Sequence, residues 1–351
     1  YYGPDPTENT ASVGGMIATN ASGARSFYFG ATRSHVRSIR VVLANGELRE
    51  FRRGEKVDFD VPEVPWPKTS KHAAGFLLKP GMDWIDLFAG SEGILGVVTE
   101  AELNLLPATF EKRTGVLFFD SEEAAWNAVD AWRSAPGLRM MEYLGCAALG
   151  LLEVRAGGAQ AALILEQELR DSGDEAFWDR ALDFPGSLPA ESWIATSDSD
   201  RERFRRLRHS VPEKINAVVI RNGFIKLGSD AAVPAARNQE MMRFYRRRLD
   251  EEFPGANIVH GHIGDSHVHV NLLPRTEDEF ARGKEFMTEI ARQAASMDGS
   301  VSAEHGIGKS KRALLAEVLP PAELARMQAI KRALDPAGIL DRAPYPLDVR
   351  R

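Results

Sequence analysis

Asn257-Ile-Val-His-Gly-His-Ile-Gly-Asp-Ser-His-Val-His-Val-Asn271 gathers four of the chain's eight histidines, His260, His262, His267 and His269, into ten residues. β-Branched runs flank Gly264-Asp265-Ser266, the order of a strand, a tight turn and a returning strand. Side chains alternate along a strand, so His260 and His262 share one face. His267, His269 and Asn271 share one face of the partner strand. Such a hairpin brings His262 and His269 side by side. Two neutral imidazoles so placed make half of a zinc-type site, which a carboxylate from elsewhere would complete. Solvated histidines on an exposed hairpin are the alternative, and this stretch alone leaves it open.

The segments around the hairpin supply a sheet and its helices. Just upstream, Phe224-Ile-Lys-Leu-Gly-Ser-Asp230 reads as a strand with Lys226 in its middle, where an ammonium needs an anion or an exposed edge. Val233–Phe253 is a helix with its apolar face at Met241, Met242, Phe244, Tyr245 and Leu249. Asp198–Val219 is helical in composition and dense in arginine, mostly a solvated face, and Pro212 is expected to break it. Further back, Val116–Phe119, Met140–Gly150 and Ala161–Leu169 alternate with helices at Ser121–Ala135 and Glu175–Ala181. Strands alternating with helices that return to a sheet give an α+β domain from 108 to about 290. Beyond the hairpin come a helix over Thr276–Met297, the glycine-bounded Gly299-Ser-Val-Ser-Ala-Glu-His-Gly-Ile-Gly308, and helices beginning at Lys309 and spanning Pro320–Leu334.

Glu304 and His305 are adjacent in that glycine-bounded loop. Neighbouring side chains of an extended segment point opposite ways, so their tasks differ. Glu304 could complete the His262/His269 pair, leaving His305 off the metal to transfer protons near neutral pH. The Gly-Ile-Gly-Lys309 run before a helix could instead hold an anion.

The N-terminal third has another character. After Pro4-Asp5-Pro6, the run Ala11–Gly23 is rich in small residues. Gly14, Gly15 and Gly23 allow close backbone approach, and Thr19, Asn20 and Ser22 add polar groups. It suits an extended cofactor and equally a structural glycine-rich loop; it contains neither G-x-G-x-x-G nor a P-loop. Val36–Phe51 is a hairpin about Asn45-Gly46. Residues 54–68 form a charged, Pro-rich excursion, and Ser70–Leu78 a short helix or turn. Leu87–Thr99 places Gly90, Gly93 and Gly96 ahead of a β-rich run.

Composition narrows the classes. The 351 residues are 44% hydrophobic and 27% charged, enough for two domains. A net charge of −6 offers no electrostatic reason for a nucleic-acid partner. No apolar run is long enough to span a bilayer. One cysteine, Cys146, excludes an internal disulfide, a cysteine zinc site and an iron–sulfur cluster held by this chain alone. Its expected role is a small buried hydrophobe.

Ser12–Gly23, Tyr28-Phe-Gly30 with Asn45-Gly46, Gly90-Ser-Glu-Gly-Ile-Leu-Gly96, His260–Asn271 and Gly299–Gly308 occur in one order. Together they resemble the FAD-linked 2-hydroxy-acid dehydrogenases of the vanillyl-alcohol-oxidase flavoprotein superfamily. That family includes D-lactate dehydrogenase, the glycolate oxidase flavin subunit and D-2-hydroxyglutarate dehydrogenase. The resemblance implies the remainder of a two-subdomain FAD-binding domain over 1–107, and a substrate (cap) domain with an antiparallel sheet over 108–290. A C-terminal helical segment over 291–351 would pack back on the FAD domain. It implies non-covalent FAD held by Pro4, Asp5, Pro6, Gly14, Gly15, Thr19, Asn20, Gly23, Gly90, Glu92, Gly93, Gly96 and Val98. It implies a divalent metal, expected to be zinc, on His262, His269 and Glu304, and His305 as general base. Arg208, Lys226 and Asn271 would contact substrate. Oxidation of a D-2-hydroxy acid follows, with electrons passed to a quinone, a cytochrome, an electron-transfer flavoprotein or a partner subunit. A homodimer and a cytoplasmic location, with peripheral attachment to the inner membrane open, complete the expectation.

Three departures stand out. The family's Gly-rich pyrophosphate loop is not in this chain, which reads as truncated. An asparagine usual in the histidine motif is His267 here, expected to face solvent. The family's closing Ile-Leu-Asn-Pro-Gly is Ile339-Leu-Asp-Arg-Ala343. A metal-dependent hydrolase would leave the N-terminal glycine blocks unexplained, whereas an inactive flavoprotein fragment would not.

Overall fold

Residue alternation builds two antiparallel sheets. The computed structural model describes residues 1–340 except Thr7, Asn9, Thr109, Phe110 and Asp171, and says nothing of the side chains of 172 and 173. The first sheet has the order β2-β1-β3, from β1 (Val36–Val42), β2 (Leu48–Arg52) and β3 (Val97–Leu103). The expected Asn45-Gly46 hairpin is present. Leu43 and Glu47 close a three-residue loop in which Gly46 takes φ 83°, a left-handed conformation that favours glycine.

The second sheet contains β4 (Glu111–Phe119), β5 (Leu138–Gly145), β6 (Ala161–Leu169), β7 (Trp193–Ile194), β8 (Leu227–Gly228), β9 (Asn257–Gly261) and β10 (His269–Leu272). Its order is β7-β4-β6-β5-β9-β10-β8, antiparallel throughout. Leu117 and Phe119 point to one face, with Leu163, Leu165, Met141, Tyr143, Val259 and Val270, and are covered by the helices Glu122–Trp132, Asn238–Glu252 and Glu277–Ser296. Val116 and Phe118 point to the other, with Ile164, Leu144 and Ile258, under the helix Asp198–Arg221. Each fully buried side chain of this kind contributes about 1.5–3 kcal/mol before entropy is subtracted. The fold is α+β, and this alternation decides which polar residues reach the site. Glu142 and His260 share the second face, because Met141, Tyr143 and Val259 occupy the first.

A third core joins Ile17, Ile39, Val41, Phe51, Phe88 and Leu95 to Ala291, Val301, Ile307, Met327 and Ile330, so late helices complete the early lobe. Among the described residues no helix is long and apolar enough to cross a membrane.

Five local expectations need correction. Asp198–Arg221 runs unbroken through Pro212, whose fixed φ is already helical; the absent N–H deprives only the Arg208 carbonyl, four residues back. Ser12–Gly23 is not all loop: Ser12 accepts from Gly15 N at 3.0 Å and caps the helix Val13–Ala18, anchored by buried Ile17. Only Leu227–Gly228 of the expected Phe224–Asp230 strand pairs, because β10 is short. Cys146 is exposed; it opens the helix Cys146–Leu151, which buries Ala148 and Leu149 instead. The helix expected from Lys309 begins at Arg312, and Asp341–Arg351 lie outside the described residues.

Candidate active site

Strand register assembles the histidine cluster. β10 pairs with β9 so that His269 faces His260, and β9 pairs with β5 so that Gly261 faces Tyr143. Continuing that register by one residue places Glu142 beside His262, just past the end of β9. Glu142 Oε1 lies 2.6 Å from His262 Nδ1. His269 Nδ1 is held 3.1 Å from the Ser229 carbonyl. Each imidazole therefore has one nitrogen fixed by an oxygen behind it, as metal-ligating histidines do, and the other turned inward. The inward Nε2 atoms of His262 and His269 are 3.4 and 3.9 Å from a single oxygen, Oε2 of Glu304.

Glu304 is held in place from behind. Its Oε1 receives the Lys71 ammonium at 2.6 Å and the Ser22 hydroxyl at 3.1 Å. Lys71, its side chain fully buried, also pairs with Asp265 at 3.2 Å and donates to the Gly23 carbonyl at 2.9 Å. Asp230 anchors the loop: it accepts from the backbone N–H of Glu304 (3.1 Å) and His305 (3.0 Å), the Ser302 hydroxyl (2.6 Å) and Lys311 Nζ (2.6 Å). His305 projects from this fixed backbone with 58% of its side chain exposed and its ring parallel to His269, centroids 5.5 Å apart.

Burial and charge set the protonation of the cluster. Burial would lower the His262 imidazole, but Glu142 and Glu304 outweigh it and push it up to about 9. Burial would likewise raise Glu142, yet His262, Arg208 and Lys71 hold it at about 2. In the ion-free protein His262 thus keeps a proton at neutral pH, which a bound cation would displace. His269 is pushed well down, first by burial and then by His267 and His305, so its imidazole is neutral and available as a donor. Glu304 is held well below the usual carboxylate range, because His262 and Lys71 overcome its burial.

These groups open on a cavity of ≈ 450 Å³. Glu142, Arg208, Lys226, His260, His262, His269, Glu304 and His305 line it. Ser12, Gly15, Met16, Thr19, Ala21 and Ser22 line it too, small side chains apart from Met16.

Of the residues singled out in the sequence, His262, His269, Glu304, His305, Arg208 and Lys226 meet at this cavity, with Pro6, Gly15 and Thr19 of the cofactor set. Arg208 is the buried exception in its arginine-rich helix, 3.9 Å from Glu142 and 3.8 Å from Asp5; Arg201 and Arg205 pair with acids on their own helix, and Arg206 stands 68% exposed. Asn271 lies fully buried against Gly228 and does not reach the lining. The other cofactor candidates lie outside this lining. A Cβ on Gly23 would strike the Asp5 carbonyl, beside Pro4, and one on Gly96 would strike Val41. Glu92 accepts from Ile307 and Gly308 N–H, each at 2.8 Å. Asn20 accepts from Arg33 N and lies against Gly90. Gly14 approaches the Val98 carbonyl, while Gly93 is open, with φ 76°.

One expectation is overturned. His267 does not face solvent: its exposure is 0%, because it bridges to Ala232 and that pairing folds the loop inward. Lys71, Glu142 and Asp230 were not anticipated. Glu142 carried a signal, a lone carboxylate in the apolar run Met140-Met-Glu-Tyr-Leu144 that needed a partner. Lys71 carried none.

The family model described as FAD linked oxidases, C-terminal domain, matches residues 110–344, and that described as FAD binding domain matches 1–52. A D-lactate dehydrogenase of Archaeoglobus fulgidus is 31% identical over 349 residues, 97% of this chain and 71% of that protein. Glycolate oxidase subunit GlcD of Bacillus subtilis is 28% identical, covering 97% and 69%. D-2-hydroxyglutarate dehydrogenase of Xanthomonas citri is 29% identical, covering 95% and 68%. Among solved structures, an alkyldihydroxyacetonephosphate synthase aligns at TM-score 0.63 and 16% identity, over 96% of this chain and 58% of that one, a likeness of fold.

Proposed function

The chain belongs to the FAD-linked oxidases, and from that premise we propose that it oxidises a D-2-hydroxy acid to the 2-oxo acid, with FAD as electron acceptor. The observation that carries this reading is one cavity lined both by His262, His269, Glu304 and His305 and by the small residues Ser12, Gly15, Thr19, Ala21 and Ser22. The oxidation takes a proton from the 2-hydroxyl, and two electrons with the hydrogen on C2. FAD, when bound, supplies the two-electron acceptor. A divalent ion on His262, His269 and Glu304, best matched by zinc for two imidazoles and a carboxylate, supplies the Lewis acidity that makes the hydroxyl easier to ionise.

The chain's own residues do the rest. His305 is at the cavity and open to solvent, so it can take the hydroxyl proton and release it outward. Arg208 and Lys226 offer two positive charges in the same cavity for the substrate carboxylate. Burial pushes Lys226 down, and no ion pair to it is seen among the described residues. The substrate anion would provide one.

The test is anaerobic: FAD- and zinc-loaded protein is mixed with lactate, glycolate and 2-hydroxyglutarate. At least one D-acid, or achiral glycolate, should bleach the visible flavin band. If dithionite bleaches it and every hydroxy acid fails, the proposal is wrong. His262→Ala should weaken zinc binding at least about tenfold. Elemental analysis of the purified variant reads this, and wild-type zinc content would remove His262 from the ligand set.

A further inference from the structure

His262, His267, His269 and Glu304 each offer one donor atom, and the four donor atoms all lie within 4.8 Å of one another. Two of these residues have a supporting oxygen behind the ring, as described above. His267 differs. It is fully buried, its Nε2 lies 3.2 Å from Asp230 Oδ1, and its Nδ1 has no hydrogen-bond partner among the described residues. A buried ring nitrogen without a hydrogen-bond partner is costly, and that cost is relieved if it donates its lone pair to a cation. Its ring centroid is 4.6 Å from that of His269 and 5.5 Å from that of His262, so it completes one face of the cluster.

We propose that His267 is a fourth protein donor to the metal, giving a three-imidazole, one-carboxylate site; this rests on the reading that His262, His269 and Glu304 bind a divalent ion. The consequence is chemical selectivity. Three imidazoles favour zinc, cobalt or nickel over magnesium or manganese, which prefer all-oxygen shells. A site filled by four protein donors also leaves the hydroxyl of a substrate to enter as a fifth, so the ion must expand its coordination when substrate arrives.

Cobalt(II) tests this by its colour, because four-coordinate cobalt absorbs strongly in the visible and six-coordinate cobalt weakly. The full chain is titrated with Co²⁺ alone, then with Zn²⁺ in competition, without substrate. Wild type should show the strong bands. In His267→Asn, whose amide can donate to Asp230, water takes the vacated position, so the bands, whose position follows the donor atoms, should shift, and Zn²⁺ should bind at least about tenfold more weakly. His267→Gln provides a second variant of different reach if the first folds poorly. Bands unchanged in position and intensity in both variants overturn the proposal, even where affinity falls, since a residue acting from behind the ligands weakens binding without changing the donor atoms. Weak bands in wild type overturn it too. Failure of wild type to bind either ion at all would instead remove the three-ligand reading on which the proposal stands.

Discussion

His305→Ala is expected to lower turnover by about 10²–10⁴-fold while changing substrate binding little. The asymmetry follows from position. Asp230 grips the backbone N–H of Glu304 and of His305, so truncating the His305 side chain leaves the loop in place. Glu304 stays tied to Lys71 and Ser22. What disappears is a solvent-open imidazole beside His269, whose Nδ1 lies 3.6 Å from Asp230 while Asp230 keeps its bonds to the loop backbone. Single-turnover flavin reduction separates the steps: the rate of bleaching should collapse and the substrate concentration at half-saturation should stay within a few-fold of wild type. A variant that reduces flavin at the wild-type rate would show that the hydroxyl proton leaves by another route.

Lys71→Met is expected to cost about 3–5 kcal/mol of stability, the range found when one member of a buried ion pair is removed. Methionine keeps the apolar stem and deletes the charge. Glu304 Oε1 and Asp265 Oδ2 then face each other without a cation, and the Gly23 carbonyl loses a donor. Three segments far apart in sequence meet at that one ammonium: the small-residue run, the tip of the histidine hairpin and the Glu304 loop. Denaturant unfolding of the ion-free protein reads the loss, and a change below about 1 kcal/mol, the ordinary value of a surface pair, would show that Lys71 is not the junction. Bound zinc should recover part of the deficit, since a divalent cation at Glu304 replaces the missing charge.

Much of this site was legible because its chemistry is dense in a few short segments. Four histidines in ten residues with β-branched spacing announce a hairpin, and Glu304-His305 between glycines announces a shaped loop. The sheet buried on both faces is written in Val116–Phe119 and Ala161–Leu165 as apolar runs without alternation, a pattern that does not by itself say which side meets which helix. The supporting charges were harder to read. Glu142 reaches His262 only through the β5–β9 register, and Lys71 reaches Glu304 only after the two lobes close. Neither relation has a local signature. Pro212 and His267 were misjudged for one reason. Local rules price a proline in a helix or a histidine in a loop by its immediate neighbours, whereas here a long buried helix and a pairing with Ala232 decided the outcome.

The pairing of His269 with His260 has a consequence for how this sequence can vary. Side chains of a strand change face with every step, so one residue gained or lost within β9 or β10 would turn the imidazoles into the opposite core and bring Val259 and Val270 into the cavity. Surface connections elsewhere can lengthen or shorten at little energetic cost. In these two strands the number of residues is itself part of the catalytic apparatus, and variation there is confined to replacement.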